Sequence, residues 1–425
     1  MNNEQLIEQP KPLPTQKLWN FNFFLLWSGQ LISLIGDTVY AIALGFWILQ
    51  KTGSTAMMGT LMATSTLPRI VISPFAGVLV DRINRKWLLV AMDALRGIFI
   101  VTVGIAAYAN LLKIWMVFIA GIIISIGSAF FGPAIGSSIP DIVPKEKLIK
   151  ANSAFSMIQS GSGIVGSAAG GMLYQFLGAP LMFLVNGISY LVGAIATFFI
   201  KIPKIVHEHV DFHFFSDLKS GLKFVWEYRG IRFLTGVAAA LNFFAVMGIM
   251  LYLPLFKQTS HLGPGLYGIF MAGTTGGMFA GFLLTSVFHF PYSRRFFFFY
   301  LFGIIDMIVG IFIPIWLYFP FMISLGFMLG ITNAVINSFI GATLGIAVPQ
   351  TMRGKVFSLI GTVAGGLMPI AFALGGVLAE FIPIRILISA AFTLTLLSFL
   401  LTALSKPIKN LINFNPELNT IEDFR

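Results

Sequence analysis

Ionisable side chains stand in the middle of long apolar stretches of this sequence, and the clearest are Asp37 and Arg69. A charge at the centre of a bilayer costs about 2.5–3.5 kcal/mol on insertion scales, so a group retained there is a functional candidate. The two stretches run in opposite directions, so both residues reach a similar depth and are expected to pair. Burial favours a neutral carboxyl group and a cation favours the charged form. The pair could therefore bind and release a proton; the alternative is a fixed structural ion pair.

A second concentration of charge, here named the charged segment, is Gly77-Val-Leu-Val-Asp81-Arg82-Ile-Asn84-Arg85-Lys86. It lies between two apolar stretches and contains one aspartate followed by three cations. Asp93 and Arg96 follow one helical turn apart, and we expect them to support the charged segment rather than to touch a ligand.

The composition identifies the medium in which these charges lie. Of 425 residues, 57% are hydrophobic and 10% are charged, with a mean hydropathy of +0.89. Soluble domains contain about 25% charged residues, so an integral membrane protein is predicted. The apolar stretches are too long and too rich in Gly for an outer-membrane barrel. The absence of Cys excludes disulfides, thiolate metal sites and Cys nucleophiles.

We predict an all-α membrane protein with twelve transmembrane helices in two pseudo-symmetric six-helix bundles. The predicted spans are residues 20–49, 55–80, 87–109, 114–138, 151–176, 181–200, 231–257, 264–289, 296–317, 320–347, 354–380 and 384–404. The predicted parts are an N-terminal tail (1–19), a first bundle (20–200), a linker with an amphipathic helix (201–230), a second bundle (231–404) and a C-terminal tail (405–425). The linker residues His207, His209 and His213 show no known ligand spacing, so we predict a solvated linker and no metal site.

The loops between the predicted spans alternate in charge. Of the 27 cations, 21 lie in the tails and loops of one side, whereas Lys51, Lys113, Lys257 and Arg385 are on the other. The positive-inside rule then places both termini in the cytoplasm. The net charge of +11 is accordingly interpreted as topology and contact with the lipid bilayer, not as binding to nucleic acid.

The two halves of the chain look like copies. A shift of roughly two hundred residues aligns Gly59 with Gly268, and a similar shift aligns Gly170-Gly171 with Gly375-Gly376. Weak symmetry between two six-span halves is typical of transporters, in which the substrate binds at the interface near the midplane.

The charged segment resembles the most specific motif of the major facilitator superfamily, Gly-x-Leu-x-Asp-Arg-x-Gly-Arg-Arg/Lys. The matching residues are Gly77, Leu79, Asp81, Arg82, Arg85 and Lys86. Asn84 replaces a glycine and is expected to keep the tight turn, because Asn tolerates positive φ. The variant Asp-Arg-x-x-Arg-Lys, with segments 26–37 and 139–144, is most similar to a bacterial branch of macrolide and multidrug exporters and enterobactin-type siderophore exporters.

The resemblance implies roles for several groups. In the superfamily the loop aspartate caps the N-terminus of span 11, which here begins near Arg353. The implied conformational latch is Gly77, Asp81, Arg82, Arg85, Lys86 and Arg353, supported by Asp93 and Arg96; the alternative is that these cations only set topology. Gly166, Gly170 and Gly171 partly match the antiporter motif Gly-Pro-x-x-Gly-Gly, which implies a gating seam between the halves, although static packing explains the same pattern.

The fold implied by the resemblance also selects pore-facing residues. The candidate substrate contacts are Gln30, Asp37, Gln159, Asn242, Asn333 and Asn337, the last two on one helix face. Three more acidic residues have local expectations: Asp141 caps or latches, Asp306 serves helix packing, and Glu380 guards the outer mouth. The 44 Phe and 18 Met residues suit an adaptable lining, but contact with lipid explains most of the Phe equally well.

The expected function is therefore secondary active transport, not enzymatic catalysis. The resemblance implies a monomeric, proton-coupled antiporter in the bacterial inner membrane that exports small amphipathic molecules such as drugs, macrolides or a siderophore, and that needs the proton gradient but no cofactor. The alternatives are a lysophospholipid or other lipid-like substrate and, from another class, a membrane receptor or enzyme. Against an enzyme or an ATP-driven pump, the sequence contains neither HExxH nor GxxxxGK[ST].

Overall fold

The structure is a computed structural model that describes residues 18–201, 214–288 and 290–416, in which all regular structure is helical. The first half contains α1 (Phe21–Thr52), α2 (Thr55–Arg82), α3 (Arg85–Tyr108), α4 (Ile114–Ile142) and α5 (Leu148–Phe199). Helix α5 is interrupted at Gly178, whose φ of 69° lies in the left-handed region. Gly tolerates this conformation without a steric penalty. The break falls between the spans predicted at 151–176 and 181–200.

The second half has more breaks than the sequence predicted. Its helices are α6 (Phe214–Glu227), α7 (Arg229–Met250), α8 (Tyr252–Gln258), α9 (Pro264–Val287), α10 (Arg295–Phe312), α11 (Phe319–Ala347), α12 (Gln350–Gly366), α13 (Met368–Phe381), α14 (Ile384–Leu404) and α15 (Lys406–Ile412). Predicted span 11 is divided into α12 and α13 around Leu367, next to Pro369. Proline lacks an N–H and clashes with the preceding turn, so it starts a new helix there.

Ten helices of the described chain are long and apolar enough to cross a membrane. The count of twelve stays a prediction, because it requires α5 to cross once on each side of Gly178 and α2, which is not among the ten, to cross as well. The linker helix expected at 216–226 is present as α6, whereas the histidines at 207, 209 and 213 and both ends of the chain lie outside the described residues.

Two helix pairs join the halves by glycine-to-glycine contacts at one end of the molecule, named here the glycine end. A Cβ placed on Gly171 of α5 would lie 2.6 Å from the Cα of Gly268 on α9. A Cβ on Gly376 of α13 would lie 2.9 Å from the Cα of Gly59 on α2. Because the internal repeat aligns Gly59 with Gly268 and Gly171 with Gly376, the two contacts are equivalent. The glycines form a pseudo-symmetric pair of helix crossings.

Only part of the predicted gating seam lies between the halves. Gly171 does, but Gly166 and Gly170 pack on α1 within the first half, against Thr38 and Val39. The sequence prediction is wrong for these two, because residues four apart on one helix share a face whereas Gly171 is turned toward a different neighbour. Gly163, which the motif did not include, faces Thr275 of α9 instead.

The opposite end, named here the charged end, is more open between α2 and the second half. Helix α2 packs extensively on α13 near the glycine end and only sparsely on α12. A cavity of about 240 Å³ separates α2 from α12. The two halves are thus in contact at the glycine end, whereas α2 and α12 are separated at the charged end.

We expect Gly376→Ala to destabilise the protein by about 1–3 kcal/mol, because the added methyl group meets backbone atoms of α2 that have no room to yield. Gly236→Ala is the matched control, since a Cβ on that helical glycine of α7 meets no atom within 4 Å. The measurement is the thermal melting temperature of both variants in detergent. Equal melting temperatures would show that the crossing does not limit stability.

Candidate functional site

Four side chains of the first half form a chain of contacts, named here the buried network: Asp37, Tyr190, Arg96 and Asp93. The Tyr190 hydroxyl donates a hydrogen bond to the Asp37 carboxylate, and Arg96 Nη2 donates to Asp93 in an ion pair. The Arg96 guanidinium lies 4.3 Å from the Tyr190 ring centroid and 4.0 Å from that of Phe131. Two aromatic faces and one carboxylate therefore surround a single cation.

Burial differs along the network. Asp93 and Tyr190 are fully buried and Arg96 is 3% exposed, whereas Asp37 is half-buried. Asp37 is therefore the end of the network that a solvent proton or a ligand reaches first. Because Arg96 is buried with Asp93 and Tyr190, its positive charge is neutralised by protein groups and not by solvent.

Glycines on neighbouring helices make room for these side chains. A Cβ on Gly127 of α4 would lie 2.8 Å from Arg96 Cδ, and one on Gly193 of α5 would lie 3.3 Å from Asp93 Oδ2. Within the part of the chain that the structure describes, Asp93 Oδ2 and Arg96 Nε have no hydrogen-bond partner. Asp93 can thus accept a proton on this oxygen without losing an existing hydrogen bond.

The predicted ion pair between Asp37 and Arg69 is wrong. Asp37 bonds to Tyr190, and of the two cations near it Arg96 contributes more positive potential than Arg69. Arg69 is an exposed residue of α2 at the cavity beside α12. The sequence gives the depth of a residue in its helix but not the direction in which it points, and Asp37 points toward α5.

The support that Asp93 and Arg96 are expected to give the latch stays a prediction. Their described contacts are with each other, with the rings of Tyr190 and Phe131 and, from Arg96 Nη1, with Ser128 Oγ at 3.4 Å. Tyr190 was missed altogether. The signal that could have found it is the polar trio of Asn186, Ser189 and Tyr190 on one face of an otherwise apolar span.

The charged segment links helices of the first half. Arg85 Nη1 donates to Asp141 Oδ2 at 2.8 Å and to the Ser137 carbonyl at 2.9 Å, which ties the start of α3 to the end of α4. Lys86 Nζ lies 5.3 Å from the Phe198 ring centroid. Asn84 has a φ of −62° and caps α3 by accepting from Trp87 N, so α3 begins here without the positive φ that Asn would tolerate.

For the other predicted latch residues, the structure describes no contact between the halves. The side chains of Asp81 and Arg82 lie outside what the structure describes, and Gly77 faces open space. Arg353 Nε donates to the Val348 carbonyl at 3.0 Å, so it closes on its own loop. The capping of α12 by Asp81 stays a prediction.

The predicted substrate contacts are placed on separate helices. Gln30 is buried in α1, whereas Gln159 on α5 and Asn242 on α7 are exposed. Asn337 Nδ2 donates to Asn333 Oδ1 at 3.0 Å, which confirms that these two share a face of α11. The structure therefore brings together Asn333 and Asn337 only.

Two further carboxylates have defined partners. Glu380 caps the N-terminus of α2 by accepting from Ser54 Oγ at 2.7 Å and Ala56 N at 2.9 Å, so it ties α13 to α2 at the glycine end. Asp306 on α10 accepts from Thr332 Oγ1 of α11 at 2.6 Å. Across the described ranges, no cluster of three His, Asp or Glu residues is arranged to hold a metal ion.

Comparisons with known proteins agree with this architecture. The sequence model of the Major Facilitator Superfamily matches residues 26–371. Macrolide efflux protein A of Streptococcus pyogenes is 28% identical over 369 residues, covering 85% of this chain and 90% of the relative. Multidrug efflux pump Tap of Mycobacterium tuberculosis is 23% identical over 375 residues, covering 84% and 87%.

Solved structures show the same fold at low sequence identity. A bacterial homologue of the iron transporter ferroportin in an inward-facing state has a TM-score of 0.72 at 16% identity, with coverage of 94% of this chain and 100% of that one. An inward-facing, unoccupied bacterial homologue of the human lysosomal transporter Spinster has a TM-score of 0.66 at 14% identity, with coverage of 92% and 96%.

We expect Glu380→Ala to loosen the glycine end, because the first turn of α2 loses its acceptor and a favourable negative charge. An exposed cap of this kind contributes about 0.3–1 kcal/mol, so the open population should rise about threefold. The measurement is the distribution of spin-label distances across the glycine end. Glu380→Gln keeps an acceptor oxygen and should change the distribution less; identical distributions for all three proteins would contradict a role for the cap.

We expect Asp93→Asn to destabilise the protein by about 3–5 kcal/mol, because it leaves Arg96 as a buried cation without its ion-pair partner. Arg96→Gln in the same protein removes that charge and should recover part of the loss. Thermal unfolding of the two single variants and the double variant gives the coupling energy. Additive losses would show that the two charges do not interact.

Proposed function

This chain belongs to the major facilitator superfamily, and from that premise we propose that it is a proton-coupled exporter of amphipathic organic compounds. Membership makes it a multi-pass membrane transporter. The observation that carries the finer proposal is the buried network, in which the half-buried carboxylate of Asp37 is linked through Tyr190 to a buried cation. Macrolide and multidrug efflux pumps among its relatives support export and an amphipathic substrate.

Alternating access follows from the unequal ends of the molecule. The closed glycine end and the cavity between α2 and α12 correspond to an inward-facing state, the state of the two similar solved structures. The excess of basic residues at the charged end supports a cytoplasmic location for that end and for both termini. The proposed setting is the bacterial plasma membrane, with a single chain as the working unit.

The proposed latch forms when the charged end closes. Helix α12 then approaches α2, and its N-terminus offers a positive dipole end to Asp81. Arg85 keeps α3 and α4 together in both states through its bond to Asp141. The cap of Glu380 on α2 is the counterpart at the glycine end, so each end of the α2–span 11 contact has its own acidic residue.

Proton coupling is proposed to act through Asp37. Before protonation, Arg96 has two negatively charged carboxylates near it, those of Asp37 and Asp93. Protonation of Asp37 removes one of these charges and leaves Asp93 as the counter-charge of Arg96. The hydrogen bond from Tyr190 then weakens, because a charged acceptor binds more strongly than a neutral one. The resulting change in how α1 and α5 are held biases the two access states. The gradient drives the cycle without a bound cofactor.

The proposal is tested with Asp37→Asn in everted membrane vesicles. We expect uptake of a fluorescent amphipathic substrate under an imposed pH gradient to fall to the level of vesicles without the protein, because asparagine does not exchange a proton at this position. Asp306→Asn is the matched control, since that carboxylate also lies in a helix long and apolar enough to cross a membrane but belongs to the second half, and it should retain gradient-driven uptake. Full uptake in Asp37→Asn would exclude Asp37 as the coupling residue.

A further inference from the structure

Arg69 is held at a distinctive place in α2, directly after Pro68 and five residues before Pro74. Its backbone N–H donates to Ser125 Oγ of α4 at 3.0 Å. This hydrogen bond to a neighbouring helix helps to fix the position of the Arg69 backbone, and with it the starting point of the side chain. The side chain itself is exposed and lines the cavity between α2 and α12.

The lining of this cavity suits an anion. Hydroxyl groups come from both halves: Ser73 from α2, and Ser358 and Thr362 from α12. Thr362 donates to the Ser358 carbonyl at 2.9 Å, so Ser73 and Ser358 are the hydroxyl groups available to a ligand. Gly361 and Gly365 on the same face of α12 leave space in front of Arg69, and no acidic residue lines the cavity. A volume of about 240 Å³ accommodates a carboxylate or phosphate group with the first atoms of its attached chain.

Charge pairing elsewhere leaves Arg69 without an acidic partner. Of the intramembrane carboxylates that the structure describes, Asp37 bonds to Tyr190, Asp93 pairs with Arg96, and Asp306 bonds to Thr332. Glu380 is engaged at the N-terminus of α2. Arg69 contributes only a minor positive potential at Asp37. An arginine in a membrane interior normally pairs with a counter-charge, so a ligand that brings one explains its retention.

We propose that Arg69 anchors the acidic group of the transported amphiphile, a carboxylate or a phosphate carried on an apolar body. The inference rests on the proposed function, because it places the substrate in the cavity between the halves. Arginine matches the planar, two-oxygen geometry of these groups. Since Arg69 belongs to one half and Ser358 to the other, the bound acidic group draws α12 toward α2 and favours closure of the charged end.

The test uses three fluorescent amphiphiles with one scaffold: 11-(dansylamino)undecanoic acid, its methyl ester and the corresponding undecylamine. Binding to the purified protein in nanodiscs is measured without a pH gradient. We expect the acid to bind about tenfold more tightly than the ester, and the amine more weakly than either. Arg69→Gln should bring the acid-to-ester ratio near one, whereas Arg69→Lys should retain part of it.

The controls separate this inference from misfolding and from proton coupling. Retained binding of the ester shows that Arg69→Gln is folded, and Lys113→Gln removes an exposed cation from the α3–α4 loop without changing the ratio. Asp37→Asn should keep the acid preference even though it loses gradient-driven transport. An equal affinity of the native protein for acid and ester, or a ratio unchanged in Arg69→Gln, would overturn the inference.

A competition arm identifies the source of the anion. Inorganic phosphate at a hundredfold excess should not displace the acid probe if the site recognises an acidic group on an apolar body. Displacement by phosphate that depends on Arg69 would overturn the assignment to an amphiphile and make the cavity a site for a free anion.

Discussion

Local matching of charge is the constraint on which the interior of this protein depends. In a low-dielectric interior an ion pair is strong, and a charge that loses its partner is correspondingly costly. Arg96 shows the consequence: it pairs with Asp93, lies against the rings of Phe131 and Tyr190, and needs Gly127 on α4 so that its stem can pass. Helices α3, α4 and α5 are thus held in register by one cation. A change in the protonation of this group of residues therefore alters the contacts among all three helices.

Movement requires a part of the interface that is held mainly by backbone contacts rather than by ion pairs. At the glycine end the halves meet through backbone contacts of Gly59 with Gly376 and Gly171 with Gly268. Such contacts lack long side chains that would have to be unlocked, so the helices can pivot about them. Helix α12 is separated from α13 at Leu367, so the part of span 11 at the charged end can move while α13 stays packed on α2. The break, whose chemical cause is Pro369, is the point at which the proposed closure would bend span 11.

The sequence was informative about properties that depend only on position along the chain. Hydropathy located the apolar helices, and the internal repeat aligned the glycines that later proved to meet in equivalent pairs. It failed where the direction around a helix decides the contact: Asp37 and Arg69 were matched by depth, yet Asp37 points to Tyr190 and Arg69 to α12. The prediction that Gly166 and Gly170 lie between the halves was wrong for the same reason. Tyr190 was missed because a single tyrosine gives no signal by itself, and only its place on one helix face with Asn186 and Ser189 marks it in the sequence.

The separation of Asp37 from Arg69 bears on the direction of coupling. An acidic group bound at Arg69 reduces the positive potential at Asp37 and so favours proton binding there, and by reciprocity a proton on Asp37 favours the acidic ligand. Direct electrostatics therefore promotes binding of both together, which is the opposite of exchange. Arg69 is the smaller of the two cationic contributions at Asp37, so Arg96 dominates the positive potential there. In the proposed mechanism, exchange arises from the two access states. The acidic ligand would favour closure of the charged end by drawing α12 to α2, and the proton would act on α1 and α5 through Tyr190. In the proposed antiport, exchange depends on which helices each ligand moves, not on competition for one charge.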